Sequence, residues 1–182
     1  MKAEFDWQPT LHGEQVIIRP IVASDWQGMF EAAADPQIWA LHPVSDRYKA
    51  PVFRDFFDGA MESGSAFSIV DSRSGKIIGS SRYHGLAAAL SEVEIGWTFL
   101  SRQYWGGQWN REMKELMLAH AFGYVESVIF LVGETNWRSQ RAMEKIGGIR
   151  RKDLVQRVLN DRASAHIVYE ITKGAFQQQS MA

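Results

Sequence analysis

The spacing of apolar residues switches between two and about 3.6 along this chain, and each switch marks an element. Gln15 to Arg19 is short and β-branched, with Pro20 ending its ladder, which predicts a first strand. Ser24 or Asp25 then caps a helix to about Ala34, Asp35-Pro36 stops it, and Trp39, His42 and Pro43 fall in an aromatic connector. A second helix is expected over 51–61. Ala66 to Val70, the turn Asp71 to Gly75, and Lys76 to Tyr83 read as a β-hairpin, and Ser91 to Phe99 continues the sheet.

From Asn110 the period lengthens: Met113, Leu116, Met117, His120 and Ala121 fall at i, i+3, i+4, i+7 and i+8, one face of a helix. Val128 to Val132 is a continuous apolar run, as in a fully buried strand. Strand 91–99, helix 110–122 and strand 127–132 therefore form a βαβ unit. A short helix from about Arg138 to Ile146 stops at Gly147-Gly148, and two strands near 149–159 and 163–171 finish the sheet. One domain over residues 1–172 accounts for a chain of 182 residues, with 173–182 as a polar frayed tail.

Charge and composition narrow the chemistry. Lys plus Arg total 20 against 21 for Asp plus Glu, which argues against a nucleic-acid binder. The absence of cysteine removes disulfides, thiolate nucleophiles and Cys-based zinc sites, and the scattered histidines have no metal-ligand spacing. Acidic residues in Met1 to Trp7 interrupt what would be the apolar part of a secretion signal, and no apolar run approaches the ~18 residues of a membrane span, so the cytosol is the expected compartment and no membrane partner is expected.

The most telling stretch runs from Glu94-Ile-Gly-Trp97 through Gln103-Tyr-Trp-Gly-Gly107 to Gln108-Trp-Asn-Arg-Glu-Met-Lys114. A strand enters a paired-glycine turn and then a helix, which brings bare backbone N–H groups to a helix N-terminus where a phosphate can sit. Further on, Asn136-x-x-Ser139 is followed by Met143-Glu-Lys-Ile-Gly-Gly148. Together these two motifs resemble the GCN5-related N-acetyltransferase (GNAT) superfamily, and within it the ribosomal-protein N-acetyltransferases. The family's loop has the form Gln/Arg-x-x-Gly-x-Gly/Ala. Aligned on Gln103 and Gly106, its second small residue falls on Gln108, a departure from the pattern. A second departure is Ile149, where the family commonly has phenylalanine.

The resemblance implies an α/β fold with a mixed, mostly antiparallel sheet of about seven strands and four helices, splayed between strands 91–99 and 127–132 to admit acetyl-coenzyme A. It implies acetyl transfer to a primary amine, of a protein N-terminus or a small molecule, by direct attack without a covalent enzyme intermediate. An α-amine titrates near ~7.7–8.0 and lysine near ~10.4, so an α-amine needs only a weak base. Glu94 is the candidate base; a solvated strand carboxylate is the competing reading. Ser139 is the candidate proton donor to the leaving sulfur or its hydrogen-bond partner. Cofactor contacts are expected from the main chain of Trp97, Thr98 and Phe99, from the loop residues Gln103, Trp105, Gly106, Gly107, Gln108, Trp109 and Asn110, and from Asn136, Ser139 and Arg138. Asn136 reads equally as a helix N-cap. Arg138, Arg141, Lys145, Arg150, Arg151 and Lys152 form a basic cluster from which one or two side chains would meet the 3′-phosphate of coenzyme A. Trp39, His42 and Tyr83 are the candidate acceptor-site residues.

Family members are often dimers, so a homodimer is the assembly the resemblance points to. Two rivals stay open: a non-catalytic acyl-coenzyme A-binding module that regulates a partner, and an enzyme of the same family acting on an antibiotic, a polyamine or an amino acid. A Rossmann-type dehydrogenase fits poorly, because Gly106-Gly107 lacks the remaining glycine spacing and the acidic residue after the next strand.

Overall fold

The computed structural model describes residues 4–159 and 162–180. Its strands are β1 (Leu11–His12), β2 (Val16–Pro20), β3 (Ala66–Asp71), β4 (Ile77–Ala87), β5 (Glu92–Leu100), β6 (Ser127–Gly133), β7 (Ile149–Leu159) and β8 (Arg162–Thr172). They form one sheet in the order β1-β2-β3-β4-β5-β6-β8-β7. The helices are α1 (Trp26–Ala33), α2 (Pro36–Trp39), α3 (Ala50–Glu62), α4 (Gln108–Ala121), α5 (Trp137–Lys145) and α6 (Lys173–Ser180). No helix is long and apolar enough to cross a membrane among the described residues.

Neighbouring strands pair antiparallel except β5 and β6, whose parallel arrangement needs a crossover, supplied by α4. That parallel ladder covers only Glu92–Ser127, Val93–Val128 and Glu94–Ile129. Beyond it the two strands part. The splay expected between them is present, on a sheet of eight strands rather than seven and with six helices rather than four among the described residues.

Each face of the sheet carries its own apolar layer. Met113, Met117, Leu118 and Ala121 of α4 pack on Val93, Ile95, Val128, Phe130 and Ile167. On the other face Met29 of α1 and Phe53, Phe57 and Ala60 of α3 pack with Ala66 and Phe99. A fully buried side chain of this size contributes about 1.5–3 kcal/mol, so these layers fix where the sheet lies. Phe176 anchors α6 against Phe122, ring centroids 5.3 Å apart. The segment expected as a frayed tail is thus a helix over Lys173–Ser180, and residues 181–182 of that tail lie outside the described residues.

Asp25 stands at the N-cap position of α1, but its side chain makes no cap hydrogen bond to that helix and is engaged elsewhere. Its carboxylate accepts two 2.7 Å hydrogen bonds from Arg19, one from Ser68 Oγ at 2.7 Å and one from the Val22 N–H at 3.0 Å. Burial pushes its pKa up, but these donors outweigh that and hold it below the usual carboxylate value.

Strand β5 departs from simple alternation. Its register with β4 moves from Phe99–Ser80 to Gly96–Arg82, three residues on β5 against two on β4, and Trp97 takes φ +51°. This is a β-bulge, and it reverses the facing of everything after it. Val93 and Ile95 face α4 before the bulge, whereas Thr98 and Leu100 do so after it. Trp97 therefore joins the face of Glu92 and Glu94, not that of Val93 and Ile95 as strict alternation predicts.

Candidate active site

The parted ends of β5 and β6 enclose a cleft of about 280 Å³. Its walls are the bulged stretch Ile95–Leu100, Phe130–Gly133 of β6, Trp39, His42 and Arg47 from the α2–α3 region, and Ser139, Ala142 and Met143 of α5. At one end lies the glycine turn. Gly106 takes φ +68°, a conformation glycine adopts without cost, while Gly107 is extended at φ −106° and precedes α4 with no side-chain cap. The first N–H groups of α4 are thereby left for an anion. Gln108 is the first helical residue, so its backbone conformation has no need of glycine.

Lys114 lies six residues into the same helix, buried at 3% exposure, and its Nζ donates to Thr98 Oγ1 at 2.9 Å above the Phe130 ring. Burial without a carboxylate partner lowers its pKa to about 7. Composition and periodicity gave no sign of it, since one lysine in an amphipathic helix reads as surface. On α5, Asn136 Oδ1 accepts from the Ser139 N–H at 3.2 Å, the N-cap role, while also lining the cleft. Ser139 borders the cleft, and its hydroxyl makes no hydrogen bond among the described residues.

Two histidines border the same space. His166 Nδ1 donates to the Ser164 carbonyl at 3.0 Å, so the lone pair of the neutral ring is on Nε2. His166 is buried, and burial holds its pKa below the ordinary value. Nothing in an alternating strand sequence marks it; the pairing of β8 with β6 sets it opposite Gly133 on the cleft wall. His42 Nδ1 accepts from the Val44 N–H at 3.0 Å, and burial, with Arg47 adding to it, lowers its pKa to about 3.

The expected site residues divide. Trp97, Thr98, Phe99, Trp105, Gly106, Asn110, Asn136, Arg138, Ser139, Trp39 and His42 all line the cleft. Gly107, just before α4, and Gln108, its first residue, are exposed. Gln103 sits beside Asp35 and Arg102 in a separate shallow depression. Trp109 turns away to pack on Tyr104 and donate to Asp71 at 3.3 Å. Tyr83 is not an acceptor-site residue: it is 0% exposed in the core on the α4 face, with its hydroxyl donating to the Met117 carbonyl at 2.7 Å. Glu94 is 4% exposed, off the cleft wall and ion-paired to Arg157; burial raises its pKa and Arg157 opposes the rise.

The basic cluster also separates. Arg151 pairs with Glu92 and Glu170, Arg141 stacks on Trp137, and Arg138 reaches the cleft. Arg138 donates to the carbonyls of Gln37 at 3.3 Å and Ile38 at 2.8 Å and lies 4.1 Å over the Trp105 ring. Among the described residues, no group of three potential ligands could hold a metal ion.

Solved structures share this architecture. A GCN5-related N-acetyltransferase from Brucella melitensis superposes with TM-score 0.83 at 18% identity, over 100% of this chain and 86% of that one. An acetyltransferase (GNAT family) from Bacillus anthracis gives 0.73 at 19%, over 91% and 99%. A spermidine N-acetyltransferase from Vibrio cholerae, in complex with CoA and spermine, gives 0.68 at 13%, over 91% and 99%. At such identities the likeness shows the fold alone, and no curated protein matches the sequence. The family model of the acetyltransferase (GNAT) domain, however, matches residues 15–149, which hold the bulged strand, the glycine turn and the Asn136–Ser139 helix, and the chain accordingly belongs to the GNAT acetyltransferases.

Proposed function

We propose that this acetyltransferase moves the acetyl group of acetyl-coenzyme A to a primary amine within a ternary complex. The observation that carries the reading is the union of an uncapped α4 N-terminus with the β6-facing edge of β5, unpaired beyond Glu94, at a single cleft. The first suits a pyrophosphate; the second suits an extended pantetheine arm, which can add main-chain hydrogen bonds at Trp97–Phe99. Coenzyme A would thus be held by the main chain around Gly106–Asn110 and by β5.

The amine nitrogen attacks the thioester carbonyl, the C–S bond breaks, the nitrogen loses a proton and the sulfur gains one. Ser139 is the proton donor or hydrogen-bond partner at the sulfur. His166, with Nε2 unprotonated, is the base. Glu94 then acts one step back, by holding Arg157 beside Trp97. A protein N-terminus, the acceptor of the ribosomal-protein subgroup, suits a base that stays neutral at physiological pH, because an α-amine is already partly deprotonated there.

Thiol release from acetyl-coenzyme A with peptides, amino acids and polyamines tests this reading. Amine-dependent release is expected, falling about 100-fold or more in kcat for His166→Asn. Binding of coenzyme A without release for any amine would leave a regulatory binding module instead.

A further inference from the structure

Among the described residues no Asp or Glu lines the cleft, whereas Arg47, Lys114 and Arg138 do. Two of these cations have partners: Lys114 has Thr98, and Arg138 has two carbonyls and Trp105. Arg47 is different. It is 7% exposed, its guanidinium lies 5.1 Å over Trp39 and 4.9 Å over Phe56, and no carboxylate comes within ion-pair distance of it among the described residues. Its single polar contact there is His42 Nε2, 3.4 Å from Nη1.

That contact joins two donors. The Val44 N–H occupies the lone pair of His42 Nδ1, so the neutral ring carries its proton on Nε2, and a guanidinium has no acceptor to offer it. An oxygen about 2.9 Å from both nitrogens would satisfy them together. The surroundings sharpen the need. Arg82, 3.8 Å over the Trp97 ring, is the second cause after burial of Arg47's lowered basicity; its Nη1 donates to the Gly59 carbonyl at 3.1 Å, and its Nε is buried without a partner among the described residues. Arg157 lies over the same ring at 5.0 Å. Among the described residues Glu94, already paired to Arg157, is the one carboxylate ion-paired into this group, while Asp46 acts on Arg47 through its charge without pairing. Arg82 is in register with Gly96, beside the bulge, so the cationic group sits at the middle of β5 and not at the α4 N-terminus where coenzyme A phosphates would lie.

We propose, resting on the acetyltransferase reading above, that the acceptor amine carries an anionic oxygen group, a carboxylate or a phosphate, which Arg47 Nη1 and His42 Nε2–H hold between them. A polyamine would instead place further cations among unneutralised arginines, and the pocket selects against it.

The test measures thiol release for β-alanine, O-phosphoethanolamine, propylamine and spermidine, together with amidated tripeptides that differ only in Asp or Lys at the second residue. Calorimetric binding of each amine to the coenzyme A-loaded protein runs in parallel. The wild type should favour the anionic acceptors at least 10-fold in kcat/KM over their neutral or cationic counterparts, and comparison of β-alanine, O-phosphoethanolamine and the Asp peptide identifies the source of the anion. Arg47→Met keeps the stem against Trp39 and Phe56 and should bring that ratio towards one through KM; Arg47→Lys should recover part of it. Coenzyme A affinity reports that each variant is folded. Spermidine or propylamine used as well as the anionic amines, or an anionic preference that survives Arg47→Met, overturns the proposal. If no amine is acetylated, yet the wild type binds β-alanine or O-phosphoethanolamine and Arg47→Met does not, the anion site stands and the transferase reading falls; absence of both release and binding sinks the two together.

Discussion

Lys114 shows how a single side chain can set a pH response. The folded protein holds its pKa near 7, whereas an unfolded lysine titrates near ~10.4. Between those values the folded state binds fewer protons than the unfolded state, so this residue makes stability rise with pH, by up to about 1.4 kcal/mol per unit. Lys114→Met removes the buried charge and keeps much of the volume. The variant is expected to be more stable than the wild type at pH 6 by a few kcal/mol, with the gap closing towards pH 10. Urea denaturation at pH 6, 8 and 10 measures it, and a gap independent of pH would show that Lys114 is not buried as a charge. His166 gives a second response through catalysis. As a base held below the ordinary histidine pKa, it should keep kcat/KM from falling until the pH drops below about 6.5, and His166→Asn should abolish that acidic limb. An unshifted or absent limb in the wild type would remove His166 from the role. Neither residue stands out in sequence, because each acquires its chemistry from a partner distant along the chain: Thr98 for Lys114, and the β6 register for His166.

At the scale of elements, two glycines make opposite demands. A Cβ on Gly79 would stand 2.1 Å from the Phe99 carbonyl oxygen and 2.8 Å from Leu100 Cδ2, so Gly79→Ala must force β4 from β5 just where the bulged strand ends. A Cβ on Gly106 meets open space, and Gly106→Ala costs only its positive φ, about 1 kcal/mol. Thermal melts should therefore show a drop of about 2–4 °C for Gly106→Ala and a severalfold larger one for Gly79→Ala, while coenzyme A binding weakens in the Gly106 variant. Equal shifts would contradict the packing of these strands. Most elements were legible from their periods, with ends displaced by a few residues: the strand expected over 127–132 spans Ser127–Gly133, and the helix expected over 110–122 spans Gln108–Ala121. What escaped was what carries no period. Strand β1 is two residues long, α2 is four, and α6 has one apolar anchor, Phe176, in a run of glutamines. The bulge at Trp97 escaped for another reason: pairing with β4, and not the local sequence, decides where the extra residue goes. Its reversal of facing put Trp97 on the face of Glu94, and of Glu94 and His166 it is His166 that lines the cleft.

The whole molecule is a sheet in two parts joined by a short ladder. Beyond Glu94 and Ile129 no strand pairing among the described residues holds β1–β5 to β6–β8. Arg151 and Arg157 of β7 reach back to Glu92 and Glu94 on one side. At the cleft, Arg138 does the corresponding work: from α5, which follows β6, it donates to the carbonyls of Gln37 and Ile38 in α2 and stacks on Trp105 after β5. Those contacts engage two of the five N–H donors of the guanidinium and one of its faces. An arginine so engaged can serve as a clasp across the cleft, and its remaining donors would be the ones to meet the 3′-phosphate of coenzyme A. The two roles predict different things for Arg138→Ala. Loss of a clasp removes two charge-assisted hydrogen bonds and a cation–π contact, worth about 1–3 kcal/mol together once solvent access is allowed for. The cleft then holds any occupant less well, and coenzyme A and dephospho-coenzyme A should dissociate faster by the same factor, about 10-fold, in stopped-flow displacement. Hydrogen exchange in α5 and the free end of β6 should quicken in parallel. A phosphate contact instead weakens coenzyme A alone and leaves the dephospho form as it was, with exchange in α5 unchanged. Because the clasp contacts form within the protein, the exchange difference should already be present without coenzyme A, which separates the two roles before any ligand is added.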